Sequence, residues 1–355
     1  MFKRVLRLSL FALAATVALI VAAGFYARSQ VRASLPQMSG TAAVPGLSAN
    51  VRVDRDALGV PTITGATRED VARALGFLHG QDRFFQMDLQ RRQPAGELSA
   101  LVGARAIEVD QDMRVHRFRS VAKRALELAE PSYRRILDAY AAGVNAGVNA
   151  LGAAPFEYLV LRATPEPWLP EDSILTVLAM FNTLQGRQAA FEQSHGALRD
   201  TLPEPMFRFL STAGSHWETP VVGDPIARPP IPGPDVFDLR RVHQTGALRD
   251  LRNQAPHLRV LGEGDPEMTA SLGSNNWAVD GARSASGAAI LANDMHLSIG
   301  VPIIWYRASM VFADPSQPSS NQQITGVTLP GIPGLVVGSN GHVAWGFTNT
   351  GGDWS

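Results

Sequence analysis

The sequence has 355 residues, of which 45% are hydrophobic and 18% charged, an ordinary mixture for a globular protein with room for more than one domain. Its 32 basic and 32 acidic residues balance, so the composition does not support a nucleic-acid partner, which favours a basic excess. Cysteine is absent, which excludes disulfides, thiolate metal sites and a cysteine nucleophile.

The N-terminus carries an export pattern. Lys3, Arg4 and Arg7 precede an apolar run over residues 8–26, as in a secretory signal. The run is also about long enough to span a bilayer. We interpret residues 1–30 as a cleaved signal peptide or an uncleaved membrane tether, with a buried core helix as the third interpretation. Both export interpretations predict a periplasmic protein, either free or anchored in the inner membrane and facing the periplasm.

The next segment predicts a tether, a hairpin and a helix. Residues 28–50 are interpreted as a tether, and the alternation over residues 51–63 predicts a hairpin. Thr67 is the predicted N-cap of the following helix, with Asp70 three positions later as in a capping box. Pro94-Ala95-Gly96 predicts the end of that helix.

More helices follow, so residues 31–235 are predicted to be mostly helical. A long helical region over 117–151 is broken near Pro131, and further helices are predicted over 173–185 and 188–198. The first of these regions ends in small residues, "AYAAGVNAGVNAL", which indicates close packing against another helix.

Residues 236–273 are charged and interrupted by Gly and Pro, which indicates a connector. From Ser274 onward the pattern predicts strands, with Asn340-Gly341 as a tight hairpin turn. The predicted fold class is therefore α+β, with helices first and a sheet beginning at residues 274–355.

Common catalytic motifs are missing from this sequence. It contains no G-x-S-x-G, H-E-x-x-H, Walker or dinucleotide-binding pattern. A serine can still act with its own amine as the base, if the chain is cut before it. Gly273-Ser274 fits this chemistry because Gly273 permits the strained backbone that self-cleavage needs. By itself the dipeptide is more typical of a turn.

Several longer segments support the catalytic interpretation. "GSNNWAV", "ILANDMHL" and "LPGIPGLVVGSNGHVAWGFTNTGGD" occur in this order, and "FEYLVLRATPEPWLPEDSI" lies upstream. Over residues 36–355 the sequence resembles the penicillin acylase family of N-terminal-nucleophile hydrolases, which includes penicillin, cephalosporin and acyl-homoserine-lactone acylases. The resemblance implies a four-layer αββα sandwich with a largely helical N-terminal chain, and a sheet that is incomplete in this sequence.

The resemblance also implies catalytic roles. Ser274 matches the nucleophile, and Gly273-Ser274 the cleavage point. His296 matches a position beside the nucleophile where it orients the serine or assists water; a structural histidine at a strand end is the alternative. Asn349 matches the residue whose backbone N–H forms half of the oxyanion hole, or else it is an ordinary strand residue.

A metal site and an acyl pocket are implied in the same way. Asp353 matches a ligand of structural Ca²⁺, with Glu192 as the nearest partner or as a residue of a solvated helix face. Met180, Phe181 and Leu184 match the helix that lines the acyl pocket, and core packing is their alternative role. No cofactor for catalysis is implied.

The function implied is that of an exported precursor. It cleaves itself before Ser274, forms a heterodimer of its two chains, and removes the acyl group from a small amide such as a β-lactam or an N-acyl-homoserine lactone. The family pattern extends beyond Ser355, so we expect this chain to be a fragment and inactive alone. The alternatives are a non-catalytic, membrane-tethered binding protein of the same fold, and a zinc or calcium hydrolase.

Overall fold

The computed structural model describes residues 2–185, 188–211, 222–224, 227–236, 238, 273–297, 299–314 and 317–349. The chain forms two compact units, residues 1–183 with 274–348 and residues 184–273 with 349–355, and the first unit holds the sheets. The helices that precede residue 212 are α1 (Phe2–Ala33), α2 (Arg68–Ala95), α3 (Ser99–Val102), α4 (Ile107–Arg114), α5 (Phe118–Leu128), α6 (Pro131–Asn149), α7 (Phe156–Leu161), α8 (Pro170–Gln185), α9 (Gln188–Thr201) and α10 (Glu204–Leu210). The strands are β1 (Arg52–Arg55), β2 (Pro61–Thr64), β3 (Gly273–Val279), β4 (Ile290–His296), β5 (Tyr306–Asp314), β6 (Gln317–Thr328), β7 (Val337–Ser339) and β8 (Ala344–Trp345).

The N-terminal apolar run lies in a single helix, α1. Residues 4–33 are long and apolar enough to cross a membrane, a test that a signal sequence near the N-terminus also passes. The apolar part of this helix is not buried, which contradicts its interpretation as a buried core helix.

The segment after α1 is not a free tether, which corrects the interpretation of residues 28–50. Helix α1 continues to Ala33, and the chain then lies against α2. The backbone N–H of Gln37 donates to the side chain of Gln81 over 3.3 Å. The Ser48 backbone N–H and hydroxyl both donate to the Asp70 carboxylate. Burial alone would raise the pKa of Asp70, but the hydrogen bonds from Ser48, together with those of Thr67, outweigh it and lower the pKa.

Helix α2 begins and ends where the sequence predicts. Its N-cap is Thr67, whose hydroxyl accepts the Asp70 N–H over 3.0 Å. Its C-cap is Gly96, which has a left-handed φ of 66° and donates its N–H to the carbonyls of Arg92 and Gln93. The break between α5 and α6 also falls at the predicted position, just before Pro131.

Helices α2 and α6 are in direct backbone contact, which explains the small residues predicted to pack closely. Four glycines, two on each helix, each face a carbonyl oxygen of the other helix. The distance from an added Cβ to the oxygen it would meet is 2.3 Å for Gly76 (Tyr140), 2.4 Å for Gly80 (Val144), 2.0 Å for Gly143 (Arg73) and 2.1 Å for Gly147 (Phe77). Because an alanine Cβ cannot approach an oxygen this closely, the helix pair requires glycine at these positions.

The main sheet combines strands from both ends of the sequence. Its order is β1-β2-β5-β6-β7-β8, and β2 pairs with β5 in parallel. Ile63 of β2 and Tyr306, Ala308 and Met310 of β5 are buried in the same core as α2 and α6. Strand β2 precedes the predicted connector and β5 follows it, so parts of the chain from before and after residue 273 are joined by backbone hydrogen bonds. Strands β3 and β4 form a separate two-stranded sheet.

A buried histidine links α2, α6 and the sheet. His79 is fully buried, its Nδ1 lies 2.7 Å from the Tyr140 hydroxyl, and its ring packs edge-on to that of Tyr306. The Tyr140 hydroxyl also accepts the N–H of Gly331 over 2.9 Å. Within the described atoms His79 Nε2 has no hydrogen-bond partner. Burial, with the nearby charge of Arg83, lowers the pKa of His79 to about 3, so the ring is neutral at pH 7.

Replacing one glycine of the α2–α6 contact by alanine should destabilise the protein. We expect Gly143→Ala to lower the free energy of unfolding by about 1–3 kcal/mol, because the helices must separate to accommodate the methyl group. The measurement is denaturant unfolding at pH 7.

The matched control is Gly196→Ala. Gly196 lies in α9 with no atom within 4 Å of an added Cβ, so alanine should raise stability by about 0.5–1 kcal/mol through helix propensity. Equal stability of Gly143→Ala and wild type would contradict the proposed backbone contact.

His79 should make stability depend on pH. Its pKa of about 3 in the fold lies below the ordinary value of 6.5. Between these values the unfolded chain binds the proton more readily, so the free energy of unfolding should decrease as pH falls from 6.5, by up to about 1.4 kcal/mol per pH unit. In His79→Gln this slope between pH 6.5 and 4.5 should largely disappear.

The control for this pH experiment is His342→Gln, which removes an exposed histidine and should keep the wild-type slope. Both variants are followed by chemical unfolding at a series of pH values. A slope that persists unchanged in His79→Gln would assign the pH dependence to other groups.

Candidate active site around Ser274

Ser274 is the second residue of β3 and is half-buried. The strand begins at Gly273, so the chain enters the sheet directly at the glycine–serine pair. Strand β3 otherwise has its side chains mostly in solvent, and Trp277 is 55% exposed. The serine therefore lies where a strand starts, with an accessible face beside it.

Asn293 of the neighbouring strand β4 connects β3 with the chain that follows β8. Its Nδ2 donates to the carbonyl of Asn275 over 3.0 Å and to the carbonyl of Phe347 over 2.9 Å. Its Oδ1 accepts the Phe347 N–H over 3.1 Å. Asn275 directly follows Ser274, so a single side chain fixes the start of β3 relative to residue 347.

A histidine–carboxylate pair lies on the same strand. His296 Nε2 is 3.0 Å from Asp294 Oδ2, and the two side chains are 40% and 70% exposed. Asp294 directly follows Asn293, whose side chain contacts Asn275, so the pair lies on the strand that is tied to the start of β3. A carboxylate on Nε2 favours the tautomer with its proton there, which leaves Nδ1 as the acceptor.

The other predicted site residues are distributed over both units. Met180 and Phe181 lie on α8, where Phe181 is 42% exposed and thus not a core residue. Leu184 and Glu192 belong to the second unit, and Glu192 is exposed on α9. Asn349 is an exposed residue at the end of the described chain.

The predicted calcium site is only partly within the described structure. Asp353 and most of the connector 236–273 lie outside the described residues. Among the residues that are described, no group of three or more His, Asp or Glu side chains is arranged to hold a metal ion. The Asp353–Glu192 pair therefore stays a prediction.

A polar cleft lies elsewhere, between α2, α5 and the start of α8. Its charged residues pair with one another: Arg91 contacts Asp88 and Asp172, and Arg119 contacts Asp172 and Glu97. None of the predicted site residues lines this cleft. We interpret it as the surface of a buried ion-pair network that anchors the loop before α8.

The family model described as penicillin amidase matches residues 50–355. Since the match covers most of the sequence, the chain belongs to the penicillin amidase family.

Two curated relatives show the same similarity over most of the chain. The penicillin acylase 2 proenzyme of Pseudomonas sp. strain SE83 is 34% identical over 331 residues, which cover 91% of this chain and 39% of the relative. The acyl-homoserine lactone acylase QuiP of Pseudomonas aeruginosa is 33% identical over 321 residues, which cover 90% of this chain and 35% of the relative. The chain thus spans little more than a third of the length of these relatives.

A solved structure is also similar. The thermostable penicillin G acylase from Alcaligenes faecalis aligns with 50% of this chain and 98% of its own, at 23% identity and a TM-score of 0.43. That score is too low to add to the assignment. The predicted family is confirmed by the family match, and the predicted α+β class is confirmed by the helices and the two sheets of the described chain.

Proposed function

We propose that the protein is the precursor of an amide hydrolase that cleaves itself before Ser274 and then removes acyl groups from small amides. The observation that carries this proposal is the position of Ser274 at the start of β3, in a chain that belongs to the penicillin amidase family. An N-terminal nucleophile needs its hydroxyl and its amine at the beginning of a strand, both directed to one cleft.

Self-cleavage uses the Ser274 hydroxyl. Its oxygen attacks the Gly273 carbonyl carbon, the C–N bond breaks, and the nitrogen takes the hydroxyl proton, which leaves an ester. Water then hydrolyses the ester to give a carboxylate at Gly273 and a free α-amino group at Ser274. Glycine before the serine suits this step because it has no Cβ to oppose the strained geometry.

Turnover uses the same hydroxyl together with the new amine. The amine, with an ordinary pKa of about 8, accepts the hydroxyl proton through a water molecule while Oγ attacks the substrate carbonyl. The proton then passes to the leaving nitrogen, the amide C–N bond breaks and an acyl-enzyme remains. A second water attacks the acyl carbon and restores the serine.

Two further groups assist these steps. The backbone N–H of Asn349 would donate to the developing oxyanion, where a preorganised donor is worth about 10²–10³ in rate. His296, oriented by Asp294, would present Nδ1 to the serine or to the attacking water. Met180, Phe181 and Leu184 would line the acyl pocket, and Asp353 with Glu192 would hold a structural Ca²⁺.

The two products of cleavage would stay together as a heterodimer. Strand β2 comes from the N-terminal product and β5 from the C-terminal one, and they pair over Thr62–Thr64. Asp82 of α2 also accepts a hydrogen bond from the Tyr306 hydroxyl over 2.7 Å. Helix α1 would serve as an export signal or a tether to the inner membrane, so that the enzyme acts in the periplasm.

The proposal is tested on the natural full-length protein by intact mass and N-terminal analysis. The wild type should yield a fragment that begins with Ser274, whereas Ser274→Ala should remain one chain without amide hydrolysis, because it lacks the nucleophile of both reactions. The matched control is Ser286→Ala, an exposed serine in the turn between β3 and β4, which should be cleaved normally. The probes are a long-chain N-acyl-homoserine lactone, a phenylacetyl anilide and a glutaryl anilide.

Other outcomes would favour the alternatives. An uncut wild type without hydrolysis of any probe would indicate a binding protein of this fold. Hydrolysis that survives in Ser274→Ala but is lost on chelation would indicate a metal-dependent hydrolase. Turnover by a chain that stays uncut would refute the role of the free amine.

A further inference from the structure

The side-chain amide of Asn293 makes three hydrogen bonds, all to the backbone of other segments. Both hydrogens of Nδ2 are directed to carbonyl oxygens, one in β3 and one at Phe347, and Oδ1 accepts the Phe347 N–H. The paired contacts to Phe347 reproduce the N–H and C=O exchange between two strands. The side chain therefore acts as a short piece of strand between β4 and the segment after Trp345.

The backbone opposite Asn293 is shaped to receive it. A Cβ added to Gly346 would lie 2.9 Å from Asn293 Oδ1 and 3.0 Å from its Cβ. The same added atom would lie 3.1 Å from Asn276 Nδ2 on β3. Glycine at position 346 therefore allows the segment to approach both strands closely.

We infer that Asn293 is a positioning residue for the reaction: it holds the segment that leads to Asn349 in register with the strand that carries Ser274. This inference rests on the proposed function, in which the Asn349 N–H stabilises the oxyanion. Asn293 contacts Asn275, one residue after the nucleophile, and Phe347, two residues before Asn349. It therefore contacts the backbone of the strand that carries the nucleophile and of the segment that leads to the oxyanion donor, but it does not touch the reacting atoms.

The geometry separates two effects of losing this side chain. In the proposed function the acyl group is bound by Met180, Phe181 and Leu184, so substrate affinity should change little. Stabilisation of the oxyanion depends on donor placement to a fraction of an ångström, and a misplacement of about 1 Å can cost about 10²-fold in rate. The loss should therefore fall on kcat, with KM nearly unchanged.

The test is Asn293→Asp in the natural full-length protein. The substitution keeps the size and the acceptor but replaces the Nδ2 donor by an oxygen that faces two carbonyl oxygens. We expect kcat on the best of the three probes to fall about 100-fold, with KM within about threefold of wild type. The matched control is Asn340→Asp in the β7–β8 turn, where Oδ1 only accepts hydrogen bonds, from His342 and Val343, so kcat should be unchanged.

A second variant keeps the inference testable if Asn293→Asp does not fold. Gly346→Ala leaves Asn293 intact but pushes the segment away from it, and it should also lower kcat with KM retained. Wild-type kcat in both folded variants, or a rise in KM at constant kcat, would overturn the positioning role. These results are distinct from failure of the proposed function, in which wild type and Ser274→Ala would show the same cleavage and the same hydrolysis of the probes.

Discussion

The backbone contact between α2 and α6 is the constraint on which the rest of the structure depends. Four glycines bring the two helices so close that a backbone carbonyl oxygen of one helix lies against each glycine of the other, where any other residue would place a side chain. Helix α2 is thereby held between α6 and the sheet, and its other residues hold further segments. Asp70 holds residues before the first hairpin, Asp82 holds Tyr306, and Arg83 donates to the carbonyl of Ile303 over 2.7 Å.

This central helix also explains how the fold could survive the proposed cleavage before Ser274. The N-terminal hairpin contributes β1 and β2 to a sheet whose remaining strands follow residue 305. Ile63 and Met310 are buried in one core with α2, so the contact surface between the two proposed products is a domain interior. Such an interior is far more apolar than a transient interface. Cleavage at Ser274 would remove a covalent link without removing that packing.

Local signals in the sequence predict much of this fold. Thr67 caps the start of α2 and Gly96 caps its end through hydrogen bonds to nearby residues. Asn340-Gly341 likewise forms a turn through hydrogen bonds to the residues that follow it. The small residues of α6 predict close packing but not the partner helix, because the matching glycines lie on α2, far away in sequence.

Other elements are missed or misplaced by the sequence. Helix α8 begins at Pro170 rather than at 173. The short helices α3, α4, α7 and α10 are not predicted, because they have too few turns for a periodic pattern. The position of residues 28–50 does not follow from their composition, because it depends on hydrogen bonds to the Asp70 carboxylate and the Gln81 amide of α2.

The sequence predicts candidate residues for the site, but not the hydrogen bonds that connect its segments. Ser274 and His296 follow from the family motifs, whereas nothing local to Asn293 shows that its amide reaches Phe347, 54 residues later. Its three hydrogen bonds are solvent-exposed, and bonds of this kind contribute about 0.5–1.5 kcal/mol each at most. Their value to stability is therefore modest compared with the buried glycine contact. Their value to chemistry is of another kind, because an oxyanion donor is useful only when it is in place before the charge develops. Loss of the Asn293 side chain should therefore reduce the stability of the fold only slightly, while it should disturb the alignment of the oxyanion donor on which the proposed reaction depends.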